Sequence, residues 1–307
     1  MYMYIKKLKY DEELINKENM PTIIKKIIIK IKKIFNIKSI NKIDENHYLC
    51  IIPKIKNIKP IEKIIKKNKK AKIVLSKELK QYISKLNIKE DRKELIYFIY
   101  DILQYISKKI NIEIQLQNLY ILTNEYNEKS LDVINYLIDK VKTINIVTNN
   151  LKQFKKLEEK MYEEGTIISV SNNKNKALKK ANFIINLDFN NADFEQYKIN
   201  FNAIIINCAK EKINILKYFQ GLIINNIQIV LKEKEKLSQM YNEFDRLEIY
   251  KTFKITSTKF KENIRKIKEN EIKISNLIGN KGIISEKEIS TLGTALFVPN
   301  WNARDRP

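Results

Sequence analysis

The stretch from residue 118 to residue 231 decides the fold, because short apolar segments alternate there with helical ones. Six segments predict strands: Asn118-Leu-Tyr-Ile-Leu-Thr-Asn124, Thr143-Ile-Asn-Ile-Val-Thr148, Thr166-Ile-Ile-Ser-Val-Ser171, Asn182-Phe-Ile-Ile-Asn-Leu187, Asn202-Ala-Ile-Ile-Ile-Asn207 and Gly221-Leu-Ile-Ile-Asn-Asn-Ile-Gln-Ile-Val-Leu231. Such apolar runs are typical of a parallel sheet that is covered by helices on both faces. Right-handed crossovers would place all six strands in one parallel sheet.

The segments between these strands have the pattern of helices that cover a sheet. Residues 128–141 place Leu131, Ile134 and Leu137 on one face. Residues 151–165 end at a glycine, the residue type that favours the left-handed cap of a helix. A third, short helix is predicted over residues 175–181. The region is therefore expected to be an α/β domain.

Three segments of this region match a known pattern. Ile144-Asn-Ile-Val-Thr-Asn-Asn-Leu151 stands where a strand ending in Asn-Arg-Thr is expected, Ala177-Leu-Lys-Lys-Ala-Asn-Phe-Ile-Ile185 stands at the place of an ALxxADIVI segment, and Phe219-Gln-Gly-Leu-Ile-Ile-Asn-Asn-Ile227 is similar to a GVxLYDIDDL stretch. With these segments, the region resembles the nucleotide-binding domain shared by glutamyl-tRNA reductases and shikimate dehydrogenases. The resemblance covers residues 118–235 and implies a Rossmann-like parallel sheet with an NAD(P) cofactor.

The residues that would hold a dinucleotide depart from that pattern. Such a site uses Gly-x-Gly-x-x-Gly after the first strand, so that backbone amides can approach the pyrophosphate. The corresponding turn, Asn124-Glu-Tyr-Asn-Glu-Lys129, has no glycine, and the charges of Glu125 and Glu128 would repel a pyrophosphate. The nucleophilic cysteine of the reductases, set in a TCNRxE segment, has no counterpart, because Cys50 sits in Tyr48-Leu-Cys-Ile-Ile52. We therefore predict a degenerate phosphate loop and name no catalytic residue.

A ligand of this sheet would meet polar residues at the carboxyl ends of the strands. Asn149 matches the resemblance, whereas Asn150 replaces the arginine expected to meet a 2′-phosphate, and Lys152 could supply a substitute charge. The candidate cofactor-binding residues are Thr123, Asn124, Asn149, Asn150, Lys152 and Ser171. With the phosphate loop degenerate, no cofactor is expected; NAD(P) is the cofactor that the resemblance implies if the domain functions.

The sequence predicts a chain of four consecutive segments. Residues 1–117 predict an N-terminal α/β domain, and residues 118–235 are the Rossmann-like domain. Residues 236–293 predict a helical C-terminal segment. Residues 294–307 differ in composition, holding the only tryptophan and two of the five arginines, and predict a disordered tail.

The flanking segments carry further predicted elements. Helices are predicted over residues 21–35, from residue 60, over 91–109, over 232–246 and over 259–271, and strands over 47–52, 71–76 and 249–255. The helix over 21–35 is basic and amphipathic, which suits either a membrane surface or other anionic partner, or a packing helix with a solvated lysine face. The packing helix is the favoured interpretation.

Composition and charge bound the function. The 307 residues are 44% hydrophobic and 31% charged, which suits a soluble globular protein of two modest domains. Lysines interrupt every isoleucine-rich segment, so no transmembrane segment is predicted. The N-terminus lacks a secretory core, so we expect a cytoplasmic protein.

The net charge is +23, but only five of the 59 basic residues are arginine. AT-rich coding bias is the favoured explanation of that balance, and an electrostatic footprint for RNA, DNA or acidic lipid is the alternative.

The residue types that most often bind metals are scarce. Cys50 and Cys208 lie on apolar, strand-like segments without metal or redox spacing, and are expected to be buried and inert. His47 is the single histidine and shows no nearby carboxylate partner in the sequence, so a structural role is expected for it. No metal site is predicted.

Three functions are open at this point. The leading hypothesis is a non-catalytic binding or regulatory protein, because the sheet pattern is intact while the phosphate loop is degenerate. The second is an enzyme, either an NAD(P)-dependent oxidoreductase related to glutamyl-tRNA reductase or a transferase that uses the carboxyl edge of the sheet. The third is a basic, nucleic-acid-associated protein. A protein partner or a second copy of the chain is open in each case.

Overall fold

The computed structural model describes residues 1–10, 14, 21–86, 88, 93–214, 219–230, 238–255 and 257–297. Two compact units divide the chain, and each is discontinuous in sequence. One consists of Met1–Glu90 and Glu233–Thr256, and the other of Asp91–Lys232 and Ser257–Pro307. The sequence-based boundaries at residues 117, 235 and 293 stay predictions.

The described residues form strands and helices in the following order. The strands are β1 (Tyr2–Lys7), β2 (Ser39–Lys42), β3 (His47–Ile52), β4 (Lys72–Leu75), β5 (Asn118–Leu122), β6 (Thr143–Val147), β7 (Ile168–Ser171), β8 (Phe183–Asn186), β9 (Ile204–Asn207), β10 (Leu222–Ile224), β11 (Asn226–Val230), β12 (Lys273–Gly279) and β13 (Gly282–Ile283). The helices are α1 (Thr22–Ile34), α2 (Lys59–Lys67), α3 (Ile99–Ile110), α4 (Glu128–Leu137), α5 (Leu151–Glu163), α6 (Asn191–Glu195), α7 (Ser238–Glu243), α8 (Arg246–Lys254), α9 (Phe260–Glu269) and α10 (Glu286–Phe297).

The first unit is built on a four-stranded sheet in the order β2-β3-β1-β4. β1 pairs in parallel with β3 and with β4, and β2 pairs antiparallel with β3. One face of the sheet packs its apolar side chains with those of α2, including Ile61 and Ile64. The helices predicted over 21–35 and from residue 60, and the strands predicted over 47–52 and 71–76, are present in this unit. The helix predicted over 91–109 lies in the second unit, where α3 begins at Ile99.

Residues 249–255 are not the predicted edge strand, and that prediction is wrong. Residues 249–254 lie in α8, and Ile255 is its C-cap. Asp245 caps the N-terminus of α8, because its carboxylate accepts from the amides of Leu247 (3.0 Å) and Glu248 (3.2 Å). An aspartate at this position starts a helix by satisfying amides that have no partner within it. Helical spacing then buries Ile249 and Tyr250 on one side.

The second unit contains a six-stranded sheet, all parallel, in the order β7-β6-β5-β8-β9-β10. The strand order reverses between the neighbours β5 and β8, which lie at the centre. The inner strands are almost fully buried, as are the helix residues that cover them, such as Val133, Ile134 and Leu137 of α4. The predicted α/β fold with a parallel sheet is confirmed.

Two details of this sheet differ from the prediction. Residues 221–231 are not one strand: Asn225 donates its amide to the Ile278 carbonyl (2.8 Å), and β11 continues in an antiparallel sheet with β12 and β13. Residues 175–180 are a series of turns rather than a helix, because the carbonyls of Lys174 and Leu178 accept from the distant amides of Lys198 (2.8 Å) and Asn200 (3.0 Å).

The C-terminal part also contains more than helices. β12 and β13 lie between α9 and α10, and the sequence analysis does not anticipate these strands. α10 takes in residues 294–297 of the predicted tail, and residues 298–307 lie outside the described residues. Among the helices that the structure describes, none is long and apolar enough to cross a membrane.

The connection into β10 depends on Gly221. A Cβ atom at this position would lie 2.0 Å from the Ala203 carbonyl oxygen, so any side chain must displace backbone. We expect Gly221→Ala to lower the free energy of unfolding by about 1–3 kcal/mol, measured by urea denaturation. At Gly165 nothing lies within 4 Å of an added Cβ but φ is +78°, so Gly165→Ala is the control for backbone strain alone, at about 1 kcal/mol. An unchanged midpoint for Gly221→Ala would contradict this packing.

Candidate functional site

A cavity of about 330 Å³ lies at the carboxyl ends of β5, β8 and β9, in the second unit. It sits beside the point where the strand order reverses, which is where open α/β sheets bind their ligands. Its lining comes from four short segments: Thr123 and Glu125 after β5; Asn127, Lys129 and Ser130 at the start of α4; residues 187–190 after β8; and residues 208–211 after β9.

The carboxylate of Asp188 binds the turn that follows β5. Its Oδ1 accepts from the amide of Asn124 (2.7 Å), and its Oδ2 accepts from the Thr123 hydroxyl (2.7 Å) and the Glu125 amide (2.9 Å). In a dinucleotide site, the amides of this turn would face the pyrophosphate. Here a side chain of the chain itself occupies the anion position.

The N-terminus of α4 is also satisfied internally. The Asn127 side chain accepts from the Ser130 amide (3.0 Å), and the Ser130 hydroxyl oxygen accepts from the Asn127 amide (3.1 Å). This reciprocal pair is a capping box, which satisfies donors that would otherwise bind an anion. The cap therefore occupies the amides of Asn127 and Ser130 at the start of α4.

Three of the residues predicted to bind a cofactor lie together. Thr123 is fully buried and lines the cavity, and Asn124 follows it in the turn. The side chain of Asn124 accepts from the amide of Asn149 (2.8 Å), which links the ends of β5 and β6. These side chains hold two strand ends together through bonds within the protein.

The other three predicted residues lie at the ends of β6 and β7. Asn150 is at the N-cap position of α5, and its amide donates to the Thr148 hydroxyl (2.9 Å). Lys152 is exposed on α5, and the Ser171 hydroxyl accepts from the Asn173 amide (3.1 Å). Among the described residues that line the cavity, Thr123 is the one predicted to bind a cofactor.

A ladder of asparagines, which the sequence analysis missed, fills the neighbouring part of the same edge. The Asn186 amide group donates to Asn207 (3.0 Å), that of Asn207 to Asn225 (2.9 Å), and that of Asn225 to Asn280 (2.8 Å). Asn186 and Asn207 are 0% exposed, and Asn225 is 4% exposed. Three strand segments that each end in Ile-Ile-Asn, at residues 186, 207 and 225, are the sequence signal that could have revealed it.

The ladder also closes the loops that follow the strands. Asn186 accepts from the Phe189 amide (2.9 Å), and Asn207 donates to the Glu211 carbonyl (2.8 Å). The segments that carry Asp188 and Lys210 are thereby fixed relative to the sheet. Buried amides with all these bonds satisfied stabilise one register and one loop conformation.

The charged groups of the cavity are mixed in sign. Glu125 and Glu211 lie in the lining with Lys129 and Lys210. Cys208 is also in the lining, but burial raises its pKa to about 12, so the thiol is protonated at neutral pH and is a poor nucleophile. Within the described ranges, no group of three or more His, Cys, Asp or Glu side chains could hold a metal ion.

His47 belongs to the first unit and has a carboxylate partner, so the expectation that it has none is wrong. Its Nδ1 lies 2.7 Å from Asp44 Oδ1, its Nε2 lies 3.2 Å from the Thr252 carbonyl, and its ring stacks on Phe253 with 3.9 Å between centroids. Burial acts to raise the pKa of Asp44, but hydrogen bonds from His47 and backbone amides lower it below its usual value. The buried ring links β3 to α8, as a structural histidine does.

No protein-family model matches the chain, and a search of curated proteins finds no match. The site is therefore interpreted from its own geometry. That geometry consists of a carboxylate in the anion position, a capped helix and a small polar cavity beside them.

Substitution of Asp188 tests the closed turn. Asp188→Ala removes the acceptor of three hydrogen bonds. We expect it to lower the free energy of unfolding by about 2–4 kcal/mol, because a hydrogen bond to a charged group contributes about 1.5–3 kcal/mol and water restores part of the loss. Asp188→Asn should fall between Asp188→Ala and the wild type, since it keeps one acceptor oxygen. Asp139 is exposed, so Asp139→Ala is the control, and equal midpoints for the two alanine variants would exclude this role of Asp188.

Proposed function

We propose that the chain is a cytoplasmic, non-catalytic binding or regulatory protein built on a Rossmann-like domain that no longer binds a dinucleotide. The strand order supports the first part. If the six strands β5 to β10 are numbered 1 to 6 in chain order, their order across the sheet is 3-2-1-4-5-6. Dinucleotide-binding sheets have this strand order. The resemblance to the domain of glutamyl-tRNA reductases rests on the sequence segments 144–151, 177–185 and 219–227.

The bonds of Asp188 carry the proposal. A dinucleotide would have to displace this carboxylate from the amides of Asn124 and Glu125, leaving it close to the pyrophosphate. Displacement would cost the Asp188 carboxylate its three hydrogen bonds. It would also leave two negative charges, the carboxylate and the pyrophosphate, close to each other, so both effects oppose dinucleotide binding. The capping box of α4 adds a second obstacle at the same place.

The cavity supports binding of a smaller molecule. Its volume of about 330 Å³ is at the lower end of the range for small-molecule sites, about 300–1,000 Å³. Because Lys129 and Lys210 lie in the lining with Glu125 and Glu211, we propose a small polar ligand that carries both signs of charge. The protonated Cys208 thiol favours binding over nucleophilic chemistry at this position.

Two alternatives stand against this proposal. An NAD(P)-dependent oxidoreductase would need Asp188 to leave the turn when the cofactor binds. A nucleic-acid-associated protein would use the lysine surfaces, and its affinity would fall steeply with salt while keeping a preferred ligand. The titration with NADH and NADPH below separates the oxidoreductase from this proposal.

Titration with NADH and NADPH tests the proposal directly. We expect no saturable change in nicotinamide fluorescence up to about 1 mM, a concentration that corresponds to a binding free energy of about −4 kcal/mol. The reason is that the amides of Asn124 and Glu125 already have an anionic partner. Saturable binding with a micromolar Kd would overturn the proposal in favour of the oxidoreductase.

A thermal-shift screen with amino acids, dicarboxylates, polyamines and nucleosides tests the cavity. We expect a zwitterionic compound to raise the melting temperature, and Lys210→Glu to weaken its binding about tenfold, equivalent to about 1.4 kcal/mol. Lys212→Glu is the matched control, because Lys212 is exposed, two residues away and outside the described lining. The cavity is not the site if both variants weaken binding equally, or if none of the compounds shifts the melting temperature.

A further inference from the structure

The solvent-facing side of α1 is apolar, which reverses the usual arrangement of a surface helix. Six large apolar side chains project from it at separations of three and four residues, so they form one stripe along the helix. Their exposures are 74% for Ile23, 45% for Ile24, 53% for Ile27, 44% for Ile31, 63% for Ile34 and 71% for Phe35. The favoured interpretation, a helix that packs its apolar side on the protein, is therefore wrong, and we call these six residues the isoleucine stripe.

A lysine faces the protein instead. Lys32 donates to the Leu14 carbonyl (2.7 Å) and to the Ser39 hydroxyl (2.8 Å), and this contact orients the helix. None of the residues of α1 is buried. The stripe is thus held outward by a polar contact on the opposite side.

The surroundings of the stripe are strongly basic. Between residues 21 and 43 the sequence has seven lysines and no aspartate or glutamate. Lys26 and Lys30 are exposed on α1 beside the stripe. An apolar stripe flanked by lysines is the pattern of helices that lie in the plane of a membrane surface.

A cavity of about 510 Å³ continues from the C-terminal end of the stripe. Phe35 and the exposed Ile37 form part of its wall. Four lysines also line it: Lys38, Lys59, Lys63 and Lys67. Among the described lining residues none is acidic, so the cavity suits an anionic group that is attached to an apolar chain.

We infer that this face of the first unit docks on an anionic phospholipid membrane, with the isoleucine stripe in the interface and lipid phosphates at the lysine-lined cavity. Two observations support this and are independent of the cavity in the second unit. The exposed isoleucines are stabilised when they enter an apolar phase, and the exposed lysines beside them and in the cavity lining attract anions. A bilayer with acidic headgroups presents both in the same plane.

Other occupants fit less well. A second copy of the chain would bring exposed lysines such as Lys26 and Lys30 against the same lysines of the first, with no carboxylate between residues 21 and 43 to pair with them. A nucleic acid would satisfy the lysines but would leave the isoleucine stripe against a phosphate backbone. The membrane is the partner that matches both the charge and the apolar surface.

Vesicle sedimentation with the full chain tests this inference. Vesicles of phosphatidylcholine alone are compared with vesicles that also contain phosphatidylglycerol, at low and at high salt. We expect binding to the acidic vesicles, weak binding to the neutral ones, and loss of binding as salt screens the lysines. Equal binding to both kinds of vesicle, or binding to neither, would overturn the inference.

Paired variants locate the surface. Ile27→Ser with Ile31→Ser should lower the partition coefficient about tenfold or more, because two apolar side chains leave the interface. The matched control is Ile167→Ser, which alters an isoleucine of the second unit that is 71% exposed. Far-ultraviolet circular dichroism should show the same helix content in all variants. A loss with Ile167→Ser as large as with the stripe variant would contradict the assignment.

The lysines are tested in the same way. Lys63→Gln with Lys67→Gln should lower the partition coefficient about 25-fold, since each lysine near an acidic membrane contributes about fivefold, equivalent to about 1 kcal/mol. Lys179→Gln with Lys180→Gln removes two exposed lysines elsewhere and should have a small effect. Equal losses in the two pairs would mean that net charge alone drives binding, which overturns the site.

Two further results would assign the surface to another partner. A dimer in light scattering that the stripe variant dissociates, without vesicle binding, would make the stripe an interface between copies. Retention of RNA on a filter that the stripe variant abolishes would make it a nucleic-acid surface. Either result overturns the membrane inference.

Discussion

The carboxylate of Asp188 holds the turn after β5, and the conformation of the carboxyl edge depends on that contact. It satisfies two backbone amides and the buried Thr123 hydroxyl with one negative charge. A dinucleotide-binding sheet leaves such amides for phosphate, so its turn is completed only when the ligand binds. Here the turn is complete without one. One side chain of the protein thereby takes the place that a ligand phosphate has in a dinucleotide-binding sheet.

The asparagine ladder gives the same edge its rigidity. Asn186, Asn207 and Asn225 end three adjacent parallel strands, and their amide groups bond in series across them. A one-residue slip of any strand would place an asparagine among apolar side chains and leave its neighbours without partners, which is costly in a buried site. The ladder therefore fixes the register and positions the loops that form the cavity.

The sequence was sufficient for the strands β3 to β9, because apolar runs predict buried strands without knowledge of their neighbours. It was insufficient where a distant residue decides the outcome. Asp188 is separated by 63 to 65 residues from the groups that it binds, and Asn225 leaves the parallel sheet because Ile278 accepts its amide. The candidate residues followed the ends of β5, β6 and β7, whereas the cavity opens beside β5, β8 and β9. α8 is a different case, because its cap, Asp245, is a local signal that the strand prediction over 249–255 overlooked.

The central claim is that Asp188 occupies the anion position of the turn, and nuclear magnetic resonance tests it most directly. The amide proton and nitrogen shifts of Asn124 and Glu125 are compared between the wild type, Asp188→Asn and the control Asp139→Ala, each with and without NADPH. We predict that Asp188→Asn shifts both amides together, that Asp139→Ala leaves them in place, and that NADPH does not change the wild-type shifts. Wild-type amides that move on addition of NADPH, and that are the same in Asp188→Asn, would contradict the account.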